Sequence, residues 1–227
     1  MATVADVTPT RIVVDSAAPV ADPAPLGLAA FALTTFVLSG HNATFIPDLI
    51  WVGLALFYGG LVQFAAGMWE FRNRNVFGAT AFSTYGGFWM SLGIFVTLAV
   101  VSKTFGSALS GANLPNAIAW FLIAFAIFNT YMLFWSTQVS VAVFLVFLTL
   151  EATEILLVIG NFDAAHGHAN NGWIHLGGWV GIATAGVAWY ASAAGVINGM
   201  KAPAVVLPVG APLAVLRGSP MQRRQHA

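Results

Sequence analysis

The sequence of 227 residues is 59% hydrophobic and only 7% charged, with a formal net charge of zero. An ordinary soluble domain carries about 25% charged residues, so this composition excludes that class and indicates a membrane protein. The balanced charge, with no basic cluster other than Arg223 and Arg224, argues against nucleic acid as a partner. The sequence contains no cysteine, which excludes disulfides, thiolate metal ligands and cysteine nucleophiles.

Six apolar segments are long enough to cross a bilayer, which requires about 20 residues each. Proline, glycine, asparagine or charged residues separate most of them and favour turns. The segments cover residues 25–44, 48–70, 78–102, 116–136, 138–160 and 172–198. The fourth and fifth are separated only by Ser136, Thr137 and Gln138, which predicts a tight helical hairpin. The predicted fold class is an all-α integral membrane protein with six transmembrane helices.

The two ends of the chain differ from this membrane domain. Residues 1–22 carry scattered charges and lack the basic start of a signal peptide, which predicts a disordered N-terminal tail. From residue 201 onward, four prolines precede two arginines, which predicts a flexible C-terminal tail over residues 201–227. Residues 23–200 are therefore predicted to form one six-helix membrane domain.

The basic residues predict how the protein is oriented. An even number of spans places both tails on one side, and seven of the eight Lys and Arg residues lie on that side. Lys103 is the exception, on the other side. The seven are Arg11, Arg72, Arg74, Lys201, Arg217, Arg223 and Arg224. Because cytoplasmic loops are enriched in basic residues, both termini are predicted to be cytoplasmic, in a multi-pass protein of the plasma membrane.

Carboxyl groups inside predicted spans are candidates for proton coupling, because a charge within the bilayer is costly and usually faces a cavity. Glu151 and Glu154 are spaced i, i+3 and share one helix face. Two interpretations are open. Either one of the two carboxyls carries the coupled proton, because burial beside another carboxyl favours the neutral form, or the two are a protonated pair that hydrogen-bonds between helices or protomers. Glu70 is a third candidate, although interface anchoring or a salt bridge to Arg72 or Arg74 also explains it.

Uncharged polar residues inside the spans either line a pathway or hydrogen-bond between helices. Hydroxyl and amide groups can donate hydrogen bonds to a passing carboxylate. The pathway candidates are Thr34, Thr35, Asn42, Gln63, Ser83, Thr84, Asn129 and Thr130. Glycine pairs such as Gly59–Gly60 and Gly86–Gly87 predict close helix packing, with a further role in shaping a pathway left open.

Motifs of enzymes and of metal or cofactor sites are missing from the sequence. There is no nucleophile elbow and no nucleotide-binding loop, so no enzyme is predicted. His166 and His168, with Asp163, are a weak metal-binding pattern because two histidines alone do not define a site, and capping or loop contacts explain His41 and His175 better than catalysis. Neither a metal nor a cofactor is therefore expected.

Short motifs along the chain resemble the acetate uptake transporter family, which includes bacterial succinate–acetate permeases. Residues 22–28 read D-P-A-P-L-G-L, similar to the family's N-P-A-P-L-G-L with Asp22 in place of Asn. Further matches follow in the family's order, including F-Y-G-G at 57–60, Y-G-x-F-W at 85–89 and I-H-x-x-G-W at 174–179. The retained residues of the first motif include Pro23, Pro25, Leu26 and Gly27.

The resemblance implies six helices per protomer, assembly into a hexamer, and uptake of acetate or a similar small monocarboxylate, in some members succinate, generally with protons. It also implies a hydrophobic constriction, which falls here on Phe31, Tyr85 and Leu150. Such a ring is expected to exclude hydrated ions but admit a small acid that has lost its water. Glu151 and Glu154 depart from the family pattern, which leaves substrate and coupling open.

Three other functions are alternatives to uptake of a carboxylate. The main alternative is a passive channel for a small neutral solute such as urea or an amide, which would show no pH dependence. A retinal protein needs a lysine inside a span, whereas Lys103 and Lys201 lie at span ends. A purely structural scaffold does not explain the polar groups within the spans.

Overall fold

The computed structural model describes residues 20–168 and 171–213. Within these ranges six helices are long and apolar enough to cross a membrane, which confirms the predicted number. In chain order they are called the first to sixth spans: Ala24–Asn42, Ile50–Arg72, Val76–Val101, Asn113–Ser136, Val141–Ala165 and Gly172–Lys201. A short helix, Lys103–Ala108, lies between the third and fourth spans, and the described residues contain no strand.

Polar side chains fix where several spans begin. Asn75, Ser140 and Asn171 each accept a hydrogen bond from the backbone N–H three residues later, at 3.0 to 3.2 Å. Such caps satisfy N–H groups that a helix leaves without a partner in its first turn. The cap at Ser140 leaves residues 137–140 as the connection between the fourth and fifth spans, so the predicted hairpin is present.

The second span is not a regular α-helix throughout. Residues Phe57–Val62 form a π-helical turn between the α-helical parts Ile50–Leu56 and Gln63–Arg72. The turn contains the F-Y-G-G motif, and a Cβ atom on Gly59 would lie 2.6 Å from Thr34 Oγ1 on the first span. Glycine is therefore required here for the two helices to approach this closely. No pattern in the sequence predicts the irregular turn.

The six spans form a closed ring. Each span packs against its neighbours in sequence, and the first packs against the sixth. Glycines allow the close approaches: a Cβ on Gly67 would lie 2.6 Å from the backbone of Ser83, and one on Gly86 would lie 2.6 Å from the backbone of Phe64. These positions support the packing interpretation of the glycines. The ring is loosest between the third and fourth spans, where side chains rather than backbones meet.

Aromatic rings fill this loose junction. Phe88 of the third span packs against Phe121 and Phe125 of the fourth, with ring centroids 5.2 and 4.8 Å apart. Tyr85, one turn earlier, packs edge-on against Phe128 at 5.5 Å. Large rings thus occupy the middle of the molecule and leave space above and below them.

The chain after the sixth span folds back onto the helices. The side-chain amide of Asn198 holds this segment in place. Its nitrogen donates to Leu207 O at 2.8 Å, and its oxygen accepts from the N–H groups of Val206 and Leu207. Val209 O accepts from Ala142 N at 2.9 Å. Side-chain and backbone hydrogen bonds thus hold residues 204–213 of the predicted tail against the helices; residues 214–227 lie outside the described residues.

Candidate pathway through the helix ring

Two cavities lie along the centre of the ring. The wide cavity has a volume of about 590 Å³ and extends to the connections between spans one and two, three and four, and five and six. The narrow cavity has a volume of about 70 Å³ and lies toward the opposite side, where both ends of the domain and the other two connections meet. The cavities face one another along one axis, which is the geometry of an interrupted pathway.

Three side chains line both cavities: Phe31, Tyr85 and Leu150. They come from the first, third and fifth spans and are 5%, 4% and 7% exposed. The rings of Phe31 and Tyr85 meet edge to face with centroids 5.9 Å apart. The residues to which the family resemblance assigns a constriction thus separate the two cavities.

The wide cavity has a polar mouth. His41 Nε2 lies 3.4 Å from Asp48 Oδ1, and the same carboxylate oxygen accepts from Trp51 Nε1 at 3.3 Å. Asn42, a predicted pathway residue, also lines this cavity near its mouth, and Thr35 lines it deeper in the ring. A hydrated solute can therefore enter this side while keeping hydrogen-bonding partners.

Glu154 lines the wide cavity beside Tyr85 and Leu150. Its side chain is only 3% exposed, and Oε2 has no hydrogen-bond partner within the described residues. A buried carboxylate without a cation or several donors is costly, so the neutral carboxyl is favoured in this surrounding.

Glu151 has different surroundings, although it lies one turn from Glu154. Its carboxylate accepts from Asn129 Nδ2 at 2.6 Å and from Thr130 Oγ1 at 2.7 Å, both on the fourth span. Asn129 Oδ1 in turn accepts from the hydroxyl of Tyr85 at 2.7 Å. Glu151 therefore lines neither cavity but is connected, through Asn129, to one of the three shared side chains.

The narrow cavity is almost entirely apolar. Besides the Tyr85 hydroxyl, the polar side chains in its lining are Gln63 and Asn75, and Gln63 is 1% exposed with an Oε1 atom that has no partner in the described structure. Asn75 uses its side-chain oxygen to cap the third span. Gln63 is thus the one predicted pathway residue on this side.

Several predicted pathway residues line neither cavity. Thr34 is fully buried, donates to Ala30 O at 3.0 Å and packs against Gly59, so it supports helix packing. Ser83 packs against Gly67 between the second and third spans. The remaining members of this group are Thr84, Asn129 and Thr130. Asn129 and Thr130 donate hydrogen bonds to Glu151, and Asn129 also accepts one from Tyr85.

Glu70 is completely buried at the end of the second span. One carboxylate oxygen accepts from Asn73 Nδ2 at 3.0 Å, and the other has no partner in the described part of the chain. Within that part no salt bridge joins it to Arg72 or Arg74, which are exposed. Glu70 lines neither cavity.

The residues of the D-P-A-P-L-G-L motif hold the start of the first span. Asp22 Oδ1 accepts from Ala24 N at 3.0 Å, and Pro23 is the residue before the helix. Pro25 O accepts from Ser192 Oγ of the sixth span at 2.7 Å. Gly27 packs against the ring of Phe82, so a larger residue would displace the third span. The motif therefore packs the first span against its neighbours.

The sequence pattern does not identify several residues that line the wide cavity, chiefly Trp89, Thr153 and Asn171. Trp89 belongs to the Y-G-x-F-W motif. Its indole Nε1 is buried and has no hydrogen-bond partner among the described residues. Its spacing of four residues from Tyr85 was the available signal, since i and i+4 share one helix face.

A closed ring of six membrane spans around two facing cavities defines a polytopic α-helical membrane protein with a candidate solute pathway. The family model described as the GPR1/FUN34/yaaH family matches residues 5–212, and the chain belongs to this family. The resemblance predicted from short motifs is confirmed.

Curated relatives include proteins named as transporters. The chain is 44% identical over 186 residues to acetate permease A of Emericella nidulans, an alignment covering 78% of this chain and 62% of the permease. It is 34% identical over 193 residues to the succinate-acetate/proton symporter SatP of Escherichia coli, covering 84% of this chain and 95% of SatP. Membership in a family of transporters and channels agrees with the expectation that the protein is not an enzyme.

A solved structure shows the same architecture. The structure of the bacterial acetate channel SatP superimposes with a TM-score of 0.75 at 33% sequence identity, covering 84% of this chain and 99% of that chain. The six-span ring is thus the fold of a known family member, and the protein is a multi-pass membrane protein.

Proposed function

We propose that the protein moves acetate or a similar small monocarboxylate, with succinate as a larger candidate, across the plasma membrane. The observation that carries the proposal is the meeting of two cavities at Phe31, Tyr85 and Leu150. Relatives named as an acetate permease, a succinate-acetate/proton symporter and an acetate channel support the choice of solute.

These three side chains act as a hydrophobic constriction in this proposal. A ring of Phe, Tyr and Leu offers a hydrated ion no replacement for its water, so an ion such as chloride pays the full cost of dehydration. A small carboxylic acid that passes in its neutral form has a lower free-energy cost of dehydration. The constriction therefore selects by both size and protonation.

Proton coupling is assigned to Glu154 rather than to Glu151 or Glu70. Glu154 is the one of the three that lines a cavity and adjoins the constriction, whereas Glu151 is held by two hydrogen bonds to the fourth span and Glu70 is held by Asn73. A carboxyl that holds a proton next to the constriction can share it with an arriving carboxylate.

The oligomer and the orientation are also proposals. We infer a homohexamer with a pathway in each protomer and with both termini cytoplasmic. Glu151 is only half-buried and its partner Thr130 is exposed on the outside of a single ring. A charged group on a lipid-facing surface is costly, and a neighbouring protomer would cover it.

Uptake into proteoliposomes tests the function directly. Labelled acetate is expected to accumulate faster when the side of entry is acidic, and urea is expected not to enter. Uptake that ignores the pH gradient would favour a passive channel. Urea flux without acetate flux would contradict the proposed substrate and support the neutral-solute alternative.

A further inference from the structure

Each side chain of the constriction is followed, four residues later, by a buried polar side chain with an unpartnered atom. Thr35 follows Phe31, Trp89 follows Tyr85, and Glu154 follows Leu150. The unpartnered atoms are Thr35 Oγ1, Trp89 Nε1 and Glu154 Oε2, half of the six such atoms among the described residues. Because the spacing is the same on three helices, the three polar side chains lie at one level along the axis of the ring.

The three polar side chains lie on the wide-cavity side of the constriction. Residues four apart share a helix face and are separated by about 6 Å along the axis. The first, third and fifth spans run in the same direction, so all three steps lead the same way. Thr35, Trp89 and Glu154 line the wide cavity but not the narrow one.

Leaving these three groups without partners is costly. They are 5%, 3% and 3% exposed, and a buried polar atom without a partner destabilises a protein because it has lost its hydrogen bonds to water. Packing alone does not explain three such atoms at one level. A ligand that supplies partners would recover part of this cost.

The chemistry of the three groups fits a carboxylate. A hydroxyl and an indole N–H donate hydrogen bonds, and a protonated carboxyl donates a third. We propose that Thr35, Trp89 and Glu154 form a binding site for the substrate's carboxylate, one helical turn before the constriction. The methyl or short alkyl group of the substrate then points toward Phe31 and Leu150.

This site rests on the proposed function and specifies where the solute stops before it passes. The three atoms are covered by neighbouring side chains in the present arrangement, so the ligand reaches them when the wide cavity expands toward the constriction. Acetate arriving as an anion receives a proton along the hydrogen bond from Glu154, and Glu154 is left as the carboxylate. The negative charge that acetate brought into the site then stays on Glu154 until its carboxylate takes up a proton from the wide cavity.

Binding must then depend on the protonation of Glu154. The ionisable groups near Glu154 are Tyr85 on the third span and Glu151 on its own span; His41, Asp48 and His175 line the same cavity nearer its mouth. Neither of the two nearer groups is a cation that would hold Glu154 in its charged form.

The chain offers matched controls for two of the three residues. Trp51 also lines the wide cavity, but its Nε1 already donates to Asp48. Thr153 lines it too, and its hydroxyl bonds Thr149 O at 2.8 Å and lies 3.2 Å from the hydroxyl of Thr184. Trp51→Phe and Thr153→Val therefore remove an indole N–H and a hydroxyl from the same cavity, but each of these groups already has a hydrogen-bond partner.

The experiment measures the KM for labelled acetate in proteoliposomes. Thr35→Val and Trp89→Phe are each expected to raise KM about tenfold, and Trp51→Phe and Thr153→Val less than about twofold. Thr35→Ser keeps the hydroxyl and is expected to restore the wild-type KM. Equal effects of the test and control variants, or failure of the Ser variant to restore KM, would overturn the site.

Glu154 is tested through pH. Glu154→Gln keeps a donor that cannot titrate, so its KM is expected to depend on pH only as acetate itself does, whereas the wild-type KM rises more steeply as the pH is raised. Glu154→Ala is expected to raise KM about tenfold at low pH, where wild-type Glu154 holds its proton, and by less as the pH is raised. A wild-type pH dependence in Glu154→Gln would contradict the assignment.

These outcomes separate the site from the proposed function. If wild-type protein takes up no acetate, the proposed function fails before the variants are compared. If wild-type protein takes up acetate and the variants behave like their controls, the function stands and the site is wrong.

Discussion

The two halves of the proposed pathway differ in both size and chemistry. The wide cavity has about 590 Å³ and a mouth with His41, Asp48 and Asn42, whereas the narrow cavity has about 70 Å³ and Gln63 as its one uncommitted polar side chain. A solute can keep most of its hydration in the first and almost none in the second. Selection by dehydration is therefore expected to begin at the constriction and continue through the narrow half.

The largest effect is expected from removing the boundary between the two halves. Leu150→Ala joins the cavities, so discrimination between acetate and longer acids such as butyrate is expected to fall about tenfold or more, since each methylene in a tight apolar site is worth that much. Phe31→Ala is expected to act in the same direction. Competition of unlabelled butyrate with labelled acetate measures the change.

Leu157→Ala is the control for this prediction, because Leu157 lines the wide cavity but not the constriction. It is expected to leave the butyrate-to-acetate ratio near the wild-type value. If Leu150→Ala and Phe31→Ala also left the ratio unchanged, Phe31, Tyr85 and Leu150 would not be the selective ring.

The next effect concerns the narrow half alone. Gln63→Leu removes its free hydrogen-bonding group, and the maximum rate of acetate uptake is expected to fall about fivefold while KM for entry from the wide side stays unchanged. Gln63→Asn retains an amide and is expected to lose less. A rise in KM with an unchanged maximum rate would show that loading and passage are not divided between the cavities.

A smaller effect is expected at the hydrogen bond that orients Tyr85. Tyr85→Phe keeps the ring but loses the bond to Asn129, and size discrimination is expected to weaken about threefold. Asn129→Ala is expected to have a similar effect, and the double variant no more than either single one. Additive losses would show that Asn129 acts independently of Tyr85.

The smallest effect is expected at Glu151. Glu151→Gln still accepts a hydrogen bond from Thr130 or Asn129, so acetate uptake and its pH dependence are expected to change less than about twofold. Comparison with Glu154→Gln in the same vesicles gives the contrast. If uptake lost its pH dependence in Glu151→Gln and not in Glu154→Gln, proton coupling would be assigned to Glu151.

The number of spans and the family were predictable from the sequence because both depend on local patterns. A run of about 20 apolar residues has few alternatives to a membrane helix, and the motifs lie within single spans. The boundaries were less exact: the third span begins at Val76 and the fifth continues to Ala165, since polar caps and loop contacts determine the ends.

The separation of Glu151 from Glu154 was not predictable. Their i, i+3 spacing puts both on one side of a helix, but whether that side faces a cavity or a neighbouring helix depends on the rotation of the fifth span in the ring. The π-helical turn at Phe57–Val62 likewise depends on packing between the first and second spans. The sequence does not identify Trp89, because an indole in an apolar span indicates a packing role unless its N–H is known to have no partner.

The folded-back segment has a practical consequence for attaching reporters to this protein. Asn198 and Ala142 each lose hydrogen-bond partners if the chain is cut before Val206, and the polar groups left on the fifth and sixth spans would then face lipid or detergent. A fluorescent protein fused beyond Leu213 leaves these bonds intact. Melting in detergent is expected to distinguish the two fusion points, with the shorter version unfolding at the lower temperature.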